Sequence, residues 1–207
     1  MTLEVAPDAA PTEGPPPAVG ADTDVPHRRH TARWIASLVL VVLAALVVLL
    51  ATRPPATVTE VDTPLLGQSA PAIVGTTVTG QSFDLAAYRG RWVFVNFFAS
   101  WCPPCQAEEP ALVTFAYQHR SPGDAALVAV VYDDATSRAR AFQTTAGATW
   151  PAVVDPGGQT ALRYGVRGPP ETFLVSPRGI VVGHYDGAIP TAGYLDQQLA
   201  AARAAGI

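Results

Sequence analysis

The stretch NFFASWCPPCQAEEP, residues 96–110, holds both cysteines of the chain, Cys102 and Cys105. It continues the run WVFVNFF (92–98), which is apolar almost throughout and rich in β-branched and aromatic residues. Such a run fits a strand buried on both faces. A helix is expected to follow, from about Pro103 to Gln118, because proline suits a first helical turn, where its missing N–H costs nothing. Cys102 then sits at a helix N-terminus, where unpaired N–H groups and the helix dipole favour a thiolate. Cys105 falls one turn further in, more buried and within reach. In this reading Cys102 is the attacking sulfur and Cys105 the resolving one.

Other uses of a C-x-x-C pair fit less well. Structural zinc takes four Cys or His ligands. Beyond two cysteines the chain has four histidines; His27 and His30 precede a long apolar segment, and His119 and His184 stand at no finger-like spacing. Covalent haem needs C-x-x-C-H, and Gln106 stands where the histidine would be. A purely structural disulfide remains open, although so small a loop gains little from entropic stapling. The favoured chemistry is thiol–disulfide exchange: Cys102 attacks a client disulfide and Cys105 resolves the mixed disulfide. The working group is then the Cys102–Cys105 disulfide itself, with no other cofactor and no metal.

Outward from this stretch, AALVAVVY (125–132) reads as a second buried strand, ATSRARAFQTTAG as a helix ending near Gly147, PAVVD (151–155) as a short strand and GQTALRYG as a short helix. ETFLVS and IVVGHYD flank the turn PRG, and TAGYLDQQLAAARAA (191–205) reads as a closing helix. Before the core strand, PAIVGTTVTGQSFDL reads as a small hairpin. Alternation of strands and helices in the first half predicts parallel strands with crossover helices; the final hairpin makes the sheet mixed.

The N-terminal part differs in kind. Residues 1–33 are expected to be a disordered cytoplasmic tail, the first 26 being rich in Pro, Ala and acidic residues. Residues 34–51, WIASLVLVVLAALVVLLA, lack charge, Gly and Pro and are long enough to cross a ~30 Å hydrocarbon core. Arg28, Arg29 and Arg33 before the span predict a cytoplasmic N-terminus and an extracytoplasmic C-terminal domain. A cleaved signal peptide is the alternative. Residues 52–66 read as a Pro/Thr linker and 67–207 as the catalytic domain. The net charge of −4 argues against nucleic-acid binding, and a monomer is expected.

The run NFFASWCPPC, the block YGVRGPPETFLVSPRG and the block GQSAPAIVGTTVTGQSFDLAAYRGRWVFVNF resemble the membrane-anchored thioredoxin-like proteins of the TlpA, ResA and CcmG/DsbE group. The likeness covers about residues 64–205. It implies an α/β thioredoxin-like fold: a mixed central sheet flanked by helices, an N-terminal β-hairpin extension and a single N-terminal transmembrane helix. It implies that Pro170 is a cis-proline facing the dithiol, in a turn that exposes backbone groups to a client peptide. Trp101, Pro103, Pro104, Pro169 and Pro170 are the client-contacting candidates. Glu108 and Glu171 match acidic residues that tune the thiols or relay a proton in such proteins; for both, a plain solvated carboxylate is the alternative. Pro110 matches a helix-kink position. Asn96 stands where thioredoxin has a buried Asp, and a neutral side chain takes no proton from Cys105. Pro169 is a second departure, because it removes a backbone donor beside Pro170.

The resemblance implies a thiol:disulfide oxidoreductase at the cell (inner) membrane, with its domain on the periplasmic side. The client it implies is the C-x-x-C-H disulfide of apocytochrome c, reduced during cytochrome c biogenesis, and the electron source a membrane donor of the CcdA/DsbD type. The alternatives are a general extracytoplasmic reductase or oxidant with other secreted clients, a peroxiredoxin-like enzyme, and a non-catalytic haem- or peptide-binding chaperone. Ser100, Trp101 and the C-x-x-C pair argue against the peroxiredoxin reading, which would place its cysteine in a Thr-x-x-Cys context.

Overall fold

The computed structural model describes residues 29–51 and 58–206. The expected tail up to residue 28, residues 52–57 of the expected linker and residue 207 lie outside the described residues. The chain divides into two units after Arg53. In the first, helix α1 spans Arg29–Ala51, and the side chains described in it, 33–48, are exposed. Among the described residues no helix is long and apolar enough to cross a membrane.

The second unit runs β1 (Thr59–Glu60), β2 (Val74–Thr76), β3 (Ser82–Asp84), β4 (Trp92–Phe98), α2 (Pro103–His119), β5 (Ala125–Val131), α3 (Thr136–Ala146), β6 (Ala152–Val154), α4 (Gln159–Tyr164), β7 (Glu171–Val175), β8 (Val181–Asp186) and α5 (Ala192–Ala204). Six strands form one sheet in the order β1-β8-β7-β4-β5-β6. β4, β5 and β6 are parallel, whereas β7 and β8 run antiparallel to their neighbours. This is the mixed α/β sheet of a thioredoxin-like fold, with β2 and β3 as a separate hairpin. The hairpin docks beside β6: the Val78 N–H donates to the Ala152 carbonyl at 2.8 Å.

β4 shows why its sequence lacks alternation. All seven of its residues are buried. Phe94 and Phe98 face Leu112 and Phe115 of α2 and Leu195 and Leu199 of α5. Val93, Val95 and Phe97 face Ile73, Phe83, Leu85 and Tyr164. The Phe94 and Phe115 rings meet edge-on at 5.2 Å, as aromatic quadrupoles prefer. Each such side chain, fully buried, contributes ~1.5–3 kcal/mol, so the strand that delivers the cysteines is the best-anchored element.

One element differs from the sequence reading. Thr59 and Glu60 lie inside the stretch expected to be a linker, yet they pair with Asp186 and Tyr185 of β8. The Val61 N–H adds a bond to the His184 carbonyl at 2.9 Å. An open sheet edge offers unpaired N–H and C=O groups to any extended segment that passes, and two residues carry no periodicity to read.

Candidate active site

Cys102 caps α2. Its sulfur accepts the Cys105 N–H at 3.2 Å, and its carbonyl accepts the Gln106 N–H at 3.1 Å. Pro103 and Pro104 fill the first two helical positions. The two sulfurs form a disulfide, with the Cα atoms 5.3 Å apart. Cys102 is 2% exposed and Cys105 1%, while Trp101 beside them is 51% exposed. The turn into the helix is fastened from the β5–α3 loop. The Ser100 N–H donates to the Asp134 carboxylate at 2.8 Å, and the Trp101 indole N–H donates to the Asp133 carbonyl at 3.1 Å. Asp133 itself takes φ +39°, a region unusual for a non-glycine residue.

The loop before β7 lies against the dithiol. The Pro169–Pro170 peptide bond is cis. The Pro169 carbonyl oxygen lies 3.5 Å from Cys102 Sγ, and the Pro170 carbonyl accepts the Gly187 N–H at 3.0 Å. Glu171, 1% exposed, holds this loop from below. Its Oε1 accepts the N–H groups of Arg167 at 2.7 Å and Gly168 at 3.2 Å, and its Oε2 lies 2.8 Å from His184 Nε2. Burial opposes ionisation of Glu171, but the bonds from His184, Arg167 and Gly168 outweigh it and hold the carboxyl below its usual range.

Glu108 follows Cys105 by three residues, so both lie on one face of α2. It is 1% exposed. Its Oε1 accepts from Asn96 Nδ2 at 2.9 Å and its Oε2 from the Ile189 N–H at 2.9 Å. Burial raises its pKa to about 7 against the pull of those bonds, with a further push from Glu109. Glu109 is also buried and raised by burial to about 7, and its Oε1 has no hydrogen-bond partner. Carboxyl groups of this kind change protonation near neutral pH, as proton carriers must.

The fold therefore brings together Trp101, Cys102, Pro103, Pro104, Cys105 and Pro169, with Pro170 next in the loop and Glu108 one helical turn inward. Glu171 points its carboxylate at the loop amides and His184. Pro110 lies inside α2; its carbonyl accepts the Thr114 hydroxyl at 2.8 Å. The sequence reading missed Asp133, Asp134, Glu109, Thr172 and His184. Only Glu109 had a local signal, a second carboxyl in the same helical turn. Among the described residues, no group of three or more His, Cys, Asp or Glu side chains is placed to hold a metal ion.

Comparison with known proteins agrees with this geometry. The AhpC/TSA family matches residues 66–184. The thiol-disulfide oxidoreductase ResA of Bacillus subtilis is 33% identical over 116 residues, which cover 56% of this chain and 64% of that protein. ResA of Geobacillus thermodenitrificans is 32% identical over 59% of this chain and 70% of that protein. The chain thus spans about two thirds of the length of these relatives. Among solved structures, a thiol:disulfide interchange protein of the thioredoxin family from Chlorobium tepidum superposes with a TM-score of 0.57 at 27% identity, covering 66% of this chain and 95% of that one. StoA from Bacillus subtilis superposes with a TM-score of 0.53 at 25% identity, covering 62% and 96%. With its disulfide at the helix N-terminus and its sequence matched from residue 66 to 184, this chain belongs to the AhpC/TSA family and, within it, to the thioredoxin-fold thiol-disulfide oxidoreductases of the ResA/DsbE/CcmG kind.

Proposed function

We propose that this protein is a membrane-tethered reductant of client disulfides outside the cytoplasm, and that its client is the C-x-x-C-H disulfide of apocytochrome c. The observation that carries the reading is the position of Cys102 Sγ, at the N-terminus of α2 and 3.5 Å from the Pro169 carbonyl. A client chain lying along that loop brings its own sulfur to Cys102. The Cys102 thiolate attacks one client sulfur, the client S–S bond breaks and a client thiolate leaves. Cys105 then gives its proton to Glu108 and attacks Cys102 Sγ. The second client thiol departs, and the Cys102–Cys105 disulfide carries the two electrons' worth of oxidation.

Each remaining candidate has a place in this scheme. Trp101, Pro103, Pro104, Pro169 and Pro170 form the surface the client meets. Glu108 is the proton acceptor, and Glu171 acts on the dithiol through the loop it holds. Return of the dithiol to its reduced state needs a donor; a membrane protein of the CcdA/DsbD type fits a domain tethered by residues 34–51. The relatives named thiol-disulfide oxidoreductase ResA support thiol–disulfide exchange as the chemistry.

Trapping tests the reading. In a Cys105→Ser variant expressed in its own cells, Cys102 has no resolving partner, so clients accumulate as mixed disulfides readable by mass spectrometry. Apocytochrome c in the trapped pool is the expected result. A pool of other secreted proteins would replace the client, and an empty pool would remove the protein-reductase reading. The match to the AhpC/TSA family supports a second reading, peroxide reduction, and peroxide consumption retained in that same variant would establish it.

A further inference from the structure

One side-chain amide joins the core strand to the helix that bears the cysteines. Asn96 Nδ2 donates to Glu108 Oε1 at 2.9 Å and to Thr172 Oγ1 at 3.0 Å. Glu108 Oε2 accepts the Ile189 N–H at 2.9 Å. Asn96 and Glu108 are 1% exposed and Thr172 is fully buried, so water does not substitute for any of these partners. A carboxylate offers only acceptors, whereas an amide offers one acceptor and one NH2 donor. Both Glu108 oxygens face N–H groups. The polarity of the site is therefore set: donor on the strand, acceptor on the helix.

We propose that Asn96 is a positioning residue whose amide, matched in polarity to Glu108, fixes the carboxylate on α2 one turn beyond Cys105, where it takes the proton of the resolving thiol. This rests on the reading of Glu108 as that proton acceptor. The bond pattern also closes in reverse. In the double variant Asn96→Asp, Glu108→Gln, the NH2 on the helix donates to the carboxylate on the strand, the amide carbonyl on the helix still accepts from Ile189, and the Thr172 hydroxyl turns to donate. The exchange keeps every hydrogen bond but moves the carboxylate from helix to strand. Neither single change does this. Asn96→Asp sets two carboxyl groups face to face in the interior, where one must take a proton. Glu108→Gln sets its NH2 against another N–H and leaves a buried donor unpaired.

The test uses four full-length proteins: the parent, Asn96→Asp, Glu108→Gln and the double variant. Two quantities are read on each. One is the thermal midpoint. The other is the pH dependence of resolution, in which Cys105 displaces 5-thio-2-nitrobenzoate from a mixed disulfide on Cys102; the Cys105 thiolate forms a bond to Cys102 Sγ and the coloured thiolate leaves. Glu108→Gln is expected to melt about 5 °C lower or more, and Asn96→Asp to lose stability as pH rises. The double variant is expected to recover most of the midpoint, whereas Glu108→Gln is expected to resolve at least about tenfold more slowly at pH 7, with a shifted pH profile. Single variants as stable as the parent, or a double variant no better than the summed singles, would overturn the pairing. An Asn96→Asp variant that resolves with the parent pH profile would overturn the positioning claim alone. If Glu108→Gln itself resolves at the parent rate and pH profile, the proton-acceptor reading fails, and the proposal with it.

Discussion

Glu171 and His184 meet 2.8 Å apart inside the sheet, and the opposite oxygen of Glu171 holds the two backbone N–H groups that open the cis-proline loop. The His184 ring stacks on Phe173 with centroids 4.2 Å apart, and its Nδ1 is buried without a partner. Glu171 is thus the keystone between β8 and the loop. Glu171→Ala leaves His184 and both amides unpaired, and is expected to cost ~3–5 kcal/mol, the usual loss when a buried pair is broken from one side. The folded-state pKa lies below the reference value of 4.5, so this stabilisation is present above that pH and fades as pH falls through the folded value. Urea melts of both proteins from pH 7 down to pH 3 check this. A gap that does not narrow in acid would assign the loss to packing rather than to charge.

Two neighbouring carboxyl groups lead to opposite substitutions. Glu108 and Glu109 are both raised to about 7 from 4.5. The folded state therefore holds more protons than the unfolded one between those values, and both groups make stability fall as pH rises through that window. Glu109 Oε1 has no donor to lose, so Glu109→Gln relieves the cost of ionisation without breaking a bond. The variant is expected to be more stable than the parent by ~1–3 kcal/mol at pH 8 and nearly equal at pH 4.5. Denaturant midpoints at the two pH values decide it; an equal difference at both would mean that Glu109 does not titrate in this window.

The loop before β7, the proposed docking loop, has almost no free backbone donors. The Arg167 and Gly168 N–H groups are taken by Glu171, and Pro169 and Pro170 have none. In the proposed docking, a client chain supplies the N–H and uses the carbonyl of Pro169. Pro169→Ala adds one donor at this point. One hydrogen bond is worth a net ~0.5–1.5 kcal/mol, so kcat/KM for unrelated peptide disulfides is expected to rise about 2–10-fold. Steady-state reduction of a panel of such peptides is the measurement. Unchanged or lower values across the panel would remove the loop backbone from client recognition.

These predictions divide according to what the sequence carries. The apolar run 92–98, the prolines after Cys102 and the cysteine spacing are local, and local physics makes a buried strand, a helix start and a thiol at its cap. The bonds that give Glu108 its surroundings, and the bond from His184 to Glu171, are not local. Asn96 reaches Thr172 across 76 positions and Ile189 reaches Glu108 across 81; both depend on strand register and on where the β8–α5 loop settles. His184 shows the same limit. It sits in an ordinary apolar strand, and only the pairing of β8 with β7 sets it against Phe173 and within reach of Glu171. β1 was illegible for another reason, since a two-residue strand is defined by the edge it joins.

The far end of α2 has its own pH-dependent tie. His119, in the last turn, lies 2.9 Å from Asp124 Oδ1 through Nδ1 and 2.9 Å from Asp196 Oδ1 of α5 through Nε2. Burial lowers the His119 pKa, but the two carboxylates raise it by more, and the net shift is upward. A cation at a helix C-terminus is also favoured by the helix dipole. Because the folded pKa exceeds the reference value of 6.5, the stabilisation is fully present below that pH and is lost as pH rises through the folded value. Both carboxylates are partly exposed, so solvent screening limits the effect to ~1–2 kcal/mol. His119→Gln is therefore expected to melt below the parent at pH 6 and to approach it at pH 9. Asp124, held down to about 2, stays charged across this range, so the change reports the imidazole alone. Thermal melts of the two proteins at pH 6 and pH 9 measure it, and a difference that grows toward pH 9 would show that the ring acts there as a neutral donor rather than as a cation.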